Sequence, residues 1–256
     1  MLTVDTSSLE EVAEIVVLAG EILLKNGAET SRVEKTMEHI AYSMGAYKVE
    51  TFVVPTGVFV TVSGSSDRSL TTMRRVKSRT IDLDRISKVN ELSRRLSENR
   101  IKKQDTLGIL KRIDTERSLS AWRMSMVSAG ALGGGFALLQ GGTWVETLLA
   151  VVTAGIVQFI VDLLSRLHGV QFTCEFLGSM AAAFIGVTAS AYYPQISREI
   201  IIVGGILPLV PGVAVTNAIS DTIAGDLVSG ISRGMEAVLT AVAMAMGVVI
   251  VLTIHV

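Results

Sequence analysis

The residues best suited to chemistry lie in the last quarter of the sequence, where two prolines interrupt an apolar run. Pro208, Pro211 and Gly212 fall within the uncharged stretch 200–220. Proline removes a backbone donor and clashes with the preceding turn, so a helix that enters a bilayer at Glu199 should break after about nine residues, or roughly 13 Å. The N-terminus of a half-helix at that depth carries partial positive charge, which suits a carboxylate. The pattern favours a substrate site and leaves a simple proline kink open.

Polar and charged side chains follow this break. Asn217 and Asp221 are four residues apart and therefore share a helix face, where the amide of Asn217 could donate to a substrate carboxylate. Ionisable groups inside a bilayer are costly unless they face protein, water or a counter-ion, so they are candidates for carrying a coupling proton. The acidic candidates in this segment are Asp221, Asp226 and Glu236. Arg233 is expected to balance their charge.

Two earlier hydrophobic runs also contain polar candidates. Asp162 and Arg166 are spaced i,i+4, which is typical of a local ion pair near the membrane interface. Gln158 lies one turn deeper on the same face and is a candidate for lining the substrate path. Glu175 opens the next run, where it could serve either as an interfacial anchor or as a coupling group.

Metal and cofactor chemistry is not expected. Cys174 is the single cysteine, and His39, His168 and His255 are too widely scattered to form a ligand-spaced cluster. Residues 1–118 contain one histidine and no phosphate-loop or nucleophile-elbow motif, so an enzymatic role is disfavoured.

The elements that must position these residues follow from the distribution of charge. Of 23 lysines and arginines, 19 precede residue 121, and the 24 acids divide 17 to 7 in the same way. The remainder contains uncharged runs of the length that a transmembrane helix needs, about 20 residues. These runs are 124–145, 147–161, 176–197, 200–220 and 237–254. The sequence predicts a membrane all-α bundle of about five transmembrane helices over 119–256, preceded by a small α+β cytoplasmic domain over 1–118.

The predicted N-terminal domain combines helical and strand patterns. Apolar residues recur at helical spacing up to Gly27, and Ser31-x-x-Glu34 has the form of a capping box that would begin a second helix. The runs 49–54 and 58–63 are rich in β-branched residues and flank a Pro-Thr-Gly turn, with a weaker strand signal at 70–76. Helical stripes return from 84 to 117, with a break near Asn99.

Topology follows from charge next to the first membrane run. The chain begins without a basic n-region and apolar core, so no signal peptide is expected and the N-terminal domain should stay in the cytoplasm. The stretch 65–117 carries 15 basic and 8 acidic residues, which fits the positive-inside rule. Five crossings would then place the C-terminus outside.

Three stretches of the chain resemble the threonine/serine exporter family. They are Asn-Gly-Ala-Glu-Thr-Ser-Arg-Val-Glu at 26–34, Pro-Thr-Gly at 55–57, and Pro-Leu-Val-Pro-Gly at 208–212 followed by Asn217, Asp221, Gly225, Asp226, Arg233 and Glu236. The resemblance covers nearly the whole chain, and its last segment is the most specific. In length the chain is similar to the short form, whose larger subunit works with a separate small membrane subunit in succinate export, whereas long members fuse both into one chain.

The resemblance implies a subunit of a secondary, proton-coupled exporter of small carboxylate-bearing metabolites in the bacterial inner membrane. The cargo would be a succinate-type dicarboxylate or threonine and serine. The expected partners are the small membrane subunit and the lipid bilayer, and a homo-oligomer is left open. Nucleic acid is not expected, because basic residues in the N-terminal domain are not interleaved with aromatic ones. Two alternatives are a regulatory or scaffolding subunit whose small partner forms the pathway and, less favoured, a membrane-anchored enzyme.

Overall fold

The chain folds into two compact units that do not follow the order of the sequence. The computed structural model describes residues 6–65, 68–77, 79–116, 121–166 and 172–255, and side chains within these ranges except those of 6–8, 121, 122 and 166. Unit 1 comprises Met1–Arg117 and Val213–Met235, and unit 2 comprises Ser118–Gly212 and Glu236–Val256. The sequence prediction places all of 119–256 in one bundle, whereas the contacts group Val213–Met235 with unit 1.

Within the described residues, helix predominates, at 74%, and a small sheet lies in unit 1. The N-terminal part of unit 1 contains α1 (Thr6–Lys25), α2 (Thr30–Met44), β1 (Lys48–Val54), β2 (Gly57–Ser63), β3 (Ser69–Arg75), α3 (Leu83–Ser97) and α4 (Thr106–Thr115). The later elements are α5 (Ala121–Leu139), α6 (Trp144–Arg166), α7 (Thr173–Tyr192), α8 (Arg198–Ile206), α9 (Gly212–Ala224) and α10 (Leu227–Ile254).

Helix α1 forms the centre of unit 1. Its apolar residues surround the helix rather than forming one stripe, and a helix of that kind is stable only when it is covered on all sides. It packs against α2, α3, α4 and two strands of the sheet. The buried residues of α1 are Leu9, Val12, Ala13, Ile15, Val16, Val17, Leu18, Ala19, Ile22, Leu23 and Leu24.

The three strands form an antiparallel meander in the order β1-β2-β3. Strand pairing places Val53 opposite Val58 and Phe52 opposite Phe59. The alternation of β-branched residues puts the valines on the face that packs on α1, as expected for a sheet with one buried side. The predicted strands are thus confirmed, and so is the helix break near Asn99, whose φ is +54°.

The predicted capping box at the start of α2 is wrong. The helix begins at Thr30, and the N-cap residue is Glu29, whose side chain makes no capping hydrogen bond. Glu34 instead accepts a hydrogen bond from the backbone N–H of Val53, with Oε1 at 3.0 Å. A long-range partner on β1 therefore competes successfully with the local one that the spacing suggested.

Unit 2 is built by close helix packing at small residues. A Cβ on Gly133 of α5 would lie 2.6 Å from the carbonyl oxygen of Gly204 and 2.9 Å from the Cβ of Ala154. A Cβ on Gly186 of α7 would lie 2.5 Å from Ile202 of α8. Such contacts are possible only because these positions lack a side chain, which is the packing typical of helices in lipid.

Several helices have the length and hydropathy of membrane spans. Within the described residues, Trp144–Ser165, Thr173–Tyr192 and Leu227–Ile254 qualify singly, and the broken pair Arg198–Leu209 and Gly212–Ala224 qualifies if it counts as one span. Only 28%, 33% and 28% of the three windows is buried, so most of their apolar surface lacks a protein partner and suits a lipid solvent. Helix α5, which contains Arg123 and four glycines, does not qualify. The described residues thus contain three or four candidate spans, and the count of about five remains a prediction.

Candidate functional site

The loop between α1 and α2 provides one half of the site. Helix α1 ends in a Schellman motif. The N–H of Gly27 donates to the carbonyl of Leu24 at 3.3 Å, and the N–H of Ala28 donates to the carbonyl of Leu23 at 3.0 Å. Gly27 has φ +94°, and an added Cβ would lie 3.4 Å from the backbone oxygen of Thr80. Glycine is therefore required, and the carbonyls of residues 27 and 28 are left outside both helices.

Side chains of α9 and α10 provide the other half. Asn217 Nδ2 donates to the carbonyl oxygen of Gly27 at 2.8 Å. Arg233 Nη2 donates to the carbonyl oxygen of Ala28 at 2.7 Å. Asn217 and Arg233 both belong to unit 1, so two successive loop carbonyls are satisfied by residues 190 and 205 positions further along the chain.

Asp221 completes this arrangement, which we call the Asp221 cluster: Gly27, Ala28, Thr30, Asn217, Asp221 and Arg233. Its Oδ1 accepts the backbone N–H of Thr30 at 3.0 Å, and its Oδ2 lies 3.3 Å from the Thr30 hydroxyl. Arg233 Nε lies 3.1 Å from the same Oδ2, and the two side chains are 6% and 0% exposed. Asp221 thus caps α2 from a distance, at the end where the helix dipole favours negative charge.

The Asp221 cluster is suited to holding parts of unit 1 together. A buried carboxylate is costly unless charge and hydrogen bonds compensate it, and here one guanidinium and two donors of Thr30 do so. The cluster therefore fixes the loop, the start of α2 and the α9–α10 segment to one another. Loss of the Asp221 charge would leave Arg233 buried without its counter-ion and would weaken all three attachments.

Glu34 adds a titratable group one turn into α2. Burial raises the pKa of the Glu34 carboxyl above its usual value of 4.5, and the negative charges of Asp226, Glu38 and Asp221 raise it further, against a lowering by the Val53 N–H. A proton on Glu34 is therefore favoured more in the folded chain than in the unfolded one.

The predicted helix break is present. Pro208 lies in the 3-10 turn Leu207–Leu209 that follows α8, and Pro211 separates this turn from α9, which begins at Gly212. The N–H of Gly212 donates to the carbonyl of Val210 at 2.7 Å, so the backbone turns sharply here instead of continuing the helical pattern. Whether these residues bind a substrate stays a prediction.

The other candidates are distributed over both units. On α6, Gln158 Nε2 donates to Asp162 Oδ1 at 2.9 Å, and the side chain of Arg166, the expected partner of Asp162, lies outside the described residues. Glu175 is half-buried in the first turn of α7. The structure thus places Asn217, Asp221 and Arg233 against the same loop, and it joins Gln158 to Asp162.

The two remaining acids flank the start of α10. Asp226 is half-buried between α9 and α10, and its backbone N–H donates to the carbonyl of Asp221 at 2.8 Å. Glu236 is half-buried on α10, where unit 2 resumes. His168 lies outside the described residues, among which no group of three His, Cys, Asp or Glu is placed to hold a metal ion.

Sequence reasoning missed the loop half of the cluster. Thr30 and the carbonyls of Gly27 and Ala28 carry no functional signature of their own, because backbone groups are the same at every residue. The one signal was that Asn26–Glu34 and the segment after Pro208 both carried the family resemblance, which could have suggested that the two stretches meet.

A family model described as "Putative threonine/serine exporter" matches residues 14–255. The chain belongs to this family. Family membership and the apolar helices together identify it as a membrane protein. No solved structure matches the chain.

Relatives from this exporter family fall into two length classes. The chain is 24% identical to the "Probable succinate transporter subunit YjjP" of Escherichia coli, over 97% of this chain and 96% of that protein. It is 24% identical to a "Probable threonine/serine exporter" of Mycobacterium tuberculosis, over 96% of this chain and 47% of the relative. It is 22% identical to the "Threonine/serine exporter" of Corynebacterium glutamicum, over 92% and 50%. The chain therefore spans about half the length of the latter two.

Proposed function

We propose that the chain is a subunit of a proton-coupled secondary exporter that moves small carboxylate-bearing metabolites across the bacterial inner membrane. The observation that carries this proposal is the break between α8 and α9 within an apolar pair of helices. Irregular backbone at membrane depth is tolerated where it is buried in protein or lines a cavity, and in transporters such breaks form substrate sites. A simple anchor has no need of one.

In this proposal the carboxylate of the cargo lies at the broken segment Pro208–Gly212, beside the N-terminus of α9, where the partial positive charge of a helix start favours an anion. Gln158 and Asn217 are the proposed side-chain donors, and Asn217 would have to exchange the Gly27 carbonyl for the substrate. The proposed coupling acids are Asp162, Glu175, Asp221, Asp226 and Glu236, with Arg233 balancing charge. The N-terminal domain would be cytoplasmic and the C-terminus outside.

The names of the relatives suggest two cargoes and a partner. The Escherichia coli protein, matched over nearly its whole length, is named a succinate transporter subunit. We therefore propose a dicarboxylate of the succinate type as the first cargo to test, with threonine and serine as the second. We further propose that a small membrane subunit of the same family completes the exporter.

A second candidate function is a regulatory or scaffolding subunit whose small partner forms the pathway. The observation that favours it is the Asp221 cluster, where Asn217, Asp221 and Arg233 have polar groups committed to the loop 27–30. Residues engaged in this way are suited to holding a subunit together, and less suited to facing a substrate.

Reconstitution in liposomes separates these functions. The chain would be inserted alone, and with the small subunit, and efflux of labelled succinate and labelled threonine measured with and without an imposed proton gradient. Gradient-dependent efflux through the chain alone supports the exporter. A third sample holds the small subunit alone, and equal efflux with and without the chain in that comparison supports the scaffolding function. Absence of efflux of both cargoes in every arrangement would contradict it.

Proline substitution tests the broken segment directly. Pro208→Ala combined with Pro211→Ala restores two backbone donors and should reduce efflux about tenfold or more by letting the helix continue. Pro194→Ala is the matched control, because Pro194 is exposed in the loop before α8. If the double variant and the control transport equally, the break is not part of the pathway and the scaffolding function is favoured.

A further inference from the structure

A solvent-open pocket of about 610 Å³ lies in unit 1 between α2 and α3. Its volume is within the range of small-molecule sites, roughly 300–1,000 Å³. The residues that line it are Glu29, Ser31, Arg32, Lys35, Thr36, His39, Asn90, Ser93 and Arg94. No apolar side chain is among them, so the pocket is suited to a charged ligand rather than an oily one.

The charge of the lining is predominantly positive. Among the residues that the structure describes, no carboxylate lies within 4.0 Å of a side-chain nitrogen of Arg32 or Lys35. Arg94 pairs with Glu91, which is outside the lining. Glu29 is the one acid in the lining, so two cations without an ion pair among the described residues, Arg32 and Lys35, face a single carboxylate.

Buried polar side chains of α2 and α3 meet at the floor of the pocket. Thr36 Oγ1 lies 3.3 Å from Asn90 Oδ1, and His39 Nδ1 lies 2.9 Å from Ser93 Oγ. The Thr36 and Ser93 residues are only 9% and 4% exposed. These contacts join α2 to α3. The Thr36 hydroxyl also donates to the carbonyl of Arg32 at 2.9 Å, so the imidazole of His39 is the group of this part of the lining that can hydrogen-bond to a ligand.

The first turn of α2 adds backbone donors at one edge. Within the described part of the chain, the N–H groups of Ser31 and Arg32 have no acceptor, as is usual for the start of a helix. The N–H of Thr30, between Glu29 and Ser31, donates to Asp221. A ligand at this edge would thus lie next to the Asp221 cluster.

We infer that this pocket binds a small dianion whose acidic groups are carboxylates or phosphates. Arginine presents a fork of donors that matches either group, and free basic side chains gain more from an anion than from a neutral molecule. A zwitterionic amino acid would bring an ammonium group to the same cations and is disfavoured. The assignment is independent of transport, since the pocket lies within unit 1.

The test is direct binding to the full chain, purified in neutral detergent at low ionic strength. Isothermal titration would use succinate and inorganic phosphate as separate probes, with threonine as the zwitterionic comparison. Binding of succinate alone identifies a dicarboxylate site, and binding of phosphate alone identifies a phosphate site. Absence of binding for both, or binding of threonine as tight as that of succinate, overturns the inference.

Matched variants locate the binding in the pocket. Arg32→Gln with Lys35→Gln should weaken binding about tenfold or more, because two charge-assisted contacts are lost. Lys48→Gln with Arg100→Gln is the control, since it removes one lysine and one arginine that lie outside the pocket. Equal affinity of these two double variants would refute the assignment.

A second variant is expected to change the affinity for the dianion in the opposite direction. Glu29→Gln removes the single acid of the lining, so it should tighten dianion binding severalfold. General damage to the fold would weaken binding instead. An affinity of Glu29→Gln at or below that of the wild type would contradict the electrostatic account.

Discussion

Substitution of Asp221 by asparagine tests the stabilising role of the Asp221 cluster most directly. Asn is close in shape to Asp, so the cavity stays filled and only charge and hydrogen bonding change. The remaining amide oxygen can still accept the backbone N–H of Thr30, which Asp221 Oδ1 accepts at 3.0 Å. The amide NH₂ takes the place of Oδ2, which in the wild type accepts a hydrogen bond from the Thr30 hydroxyl and pairs with the guanidinium of Arg233. In the variant a donor therefore faces these two donors.

The expected cost follows from the burial of this pair. Removing one partner of a buried ion pair destabilises by about 3–5 kcal/mol, because the other charge remains desolvated. Since the Thr30 N–H keeps an acceptor, we expect the lower end, about 3 kcal/mol. A factor of ten corresponds to about 1.4 kcal/mol, so local opening of the cluster should become roughly a hundredfold more frequent.

Hydrogen–deuterium exchange of the purified protein measures this opening where it occurs. The Thr30 amide and its neighbours in loop 26–30 should exchange roughly a hundredfold faster in Asp221→Asn, while the sheet keeps its protection. Asp226→Asn is the matched control. Asp226 is half-buried on the same segment, and its side chain has no hydrogen-bond partner among the described residues, so its change should stay within about 0.5 kcal/mol.

The result that would refute the reasoning is unchanged exchange of the loop in Asp221→Asn. Equal acceleration in both variants would also refute it, because the effect would then reflect any loss of charge on the segment. A double-mutant cycle with Arg233→Met adds a further check. Its coupling energy with Asp221→Asn should be about 1–3 kcal/mol, as for residues in direct contact.

Three further predictions concern stability. Burial raises the pKa of Glu34 above 4.5, so the folded state holds this proton more tightly than the unfolded state does. The stability that the proton confers should therefore be lost as pH rises through the pKa of the folded state. Above pH 4.5, the free energy of unfolding of Glu34→Gln should rise relative to that of the wild type and then reach a plateau. A difference in free energy of unfolding that does not change with pH would contradict this. Gly133→Ala should lower thermal stability by about 1–3 kcal/mol through overpacking, whereas Gly135→Ala, which meets no atom within 4 Å, should be neutral or slightly stabilising. Glu146→Gln should cost about 1–3 kcal/mol, because the buried carboxylate accepts the N–H of Ser197 at 2.6 Å, and the exposed Glu199→Gln should cost much less in the same melting assay.

The parts of the fold that could be predicted from the sequence are those that depend on near neighbours. Runs of apolar residues marked the candidate spans, β-branched alternation marked the strands, and Pro208 with Pro211 marked the helix break. Each of these signals acts within a few residues, through sterics or through the period of the element. The resemblance at Asn217, Asp221 and Arg233 also led to three residues that the structure brings together.

The rest depends on distant partners. Ser31 and Glu34 have the spacing of a capping box, but the N–H of Val53 takes the Glu34 carboxylate that the box would have used. The helix also begins earlier, at Thr30, whose N–H is accepted by Asp221. The sequence predicts Asp221 as a coupling acid with Arg233 balancing its charge, because a sequence alone does not show that the Thr30 N–H lies 3.0 Å away. Buried charge indicates that a partner exists, and only the fold shows which one.

The distance in sequence between Thr30 and Asp221, 191 residues, has a consequence for how the protein is made. At about 5–20 residues per second, the ribosome needs on the order of ten to forty seconds to pass from one to the other. During that interval the start of α2 and the carbonyls of Gly27 and Ala28 lack their final partners, and water or a chaperone must satisfy them. An excised fragment ending near residue 117 would keep this deficit permanently, so it would be a poor substitute for the domain in the intact chain.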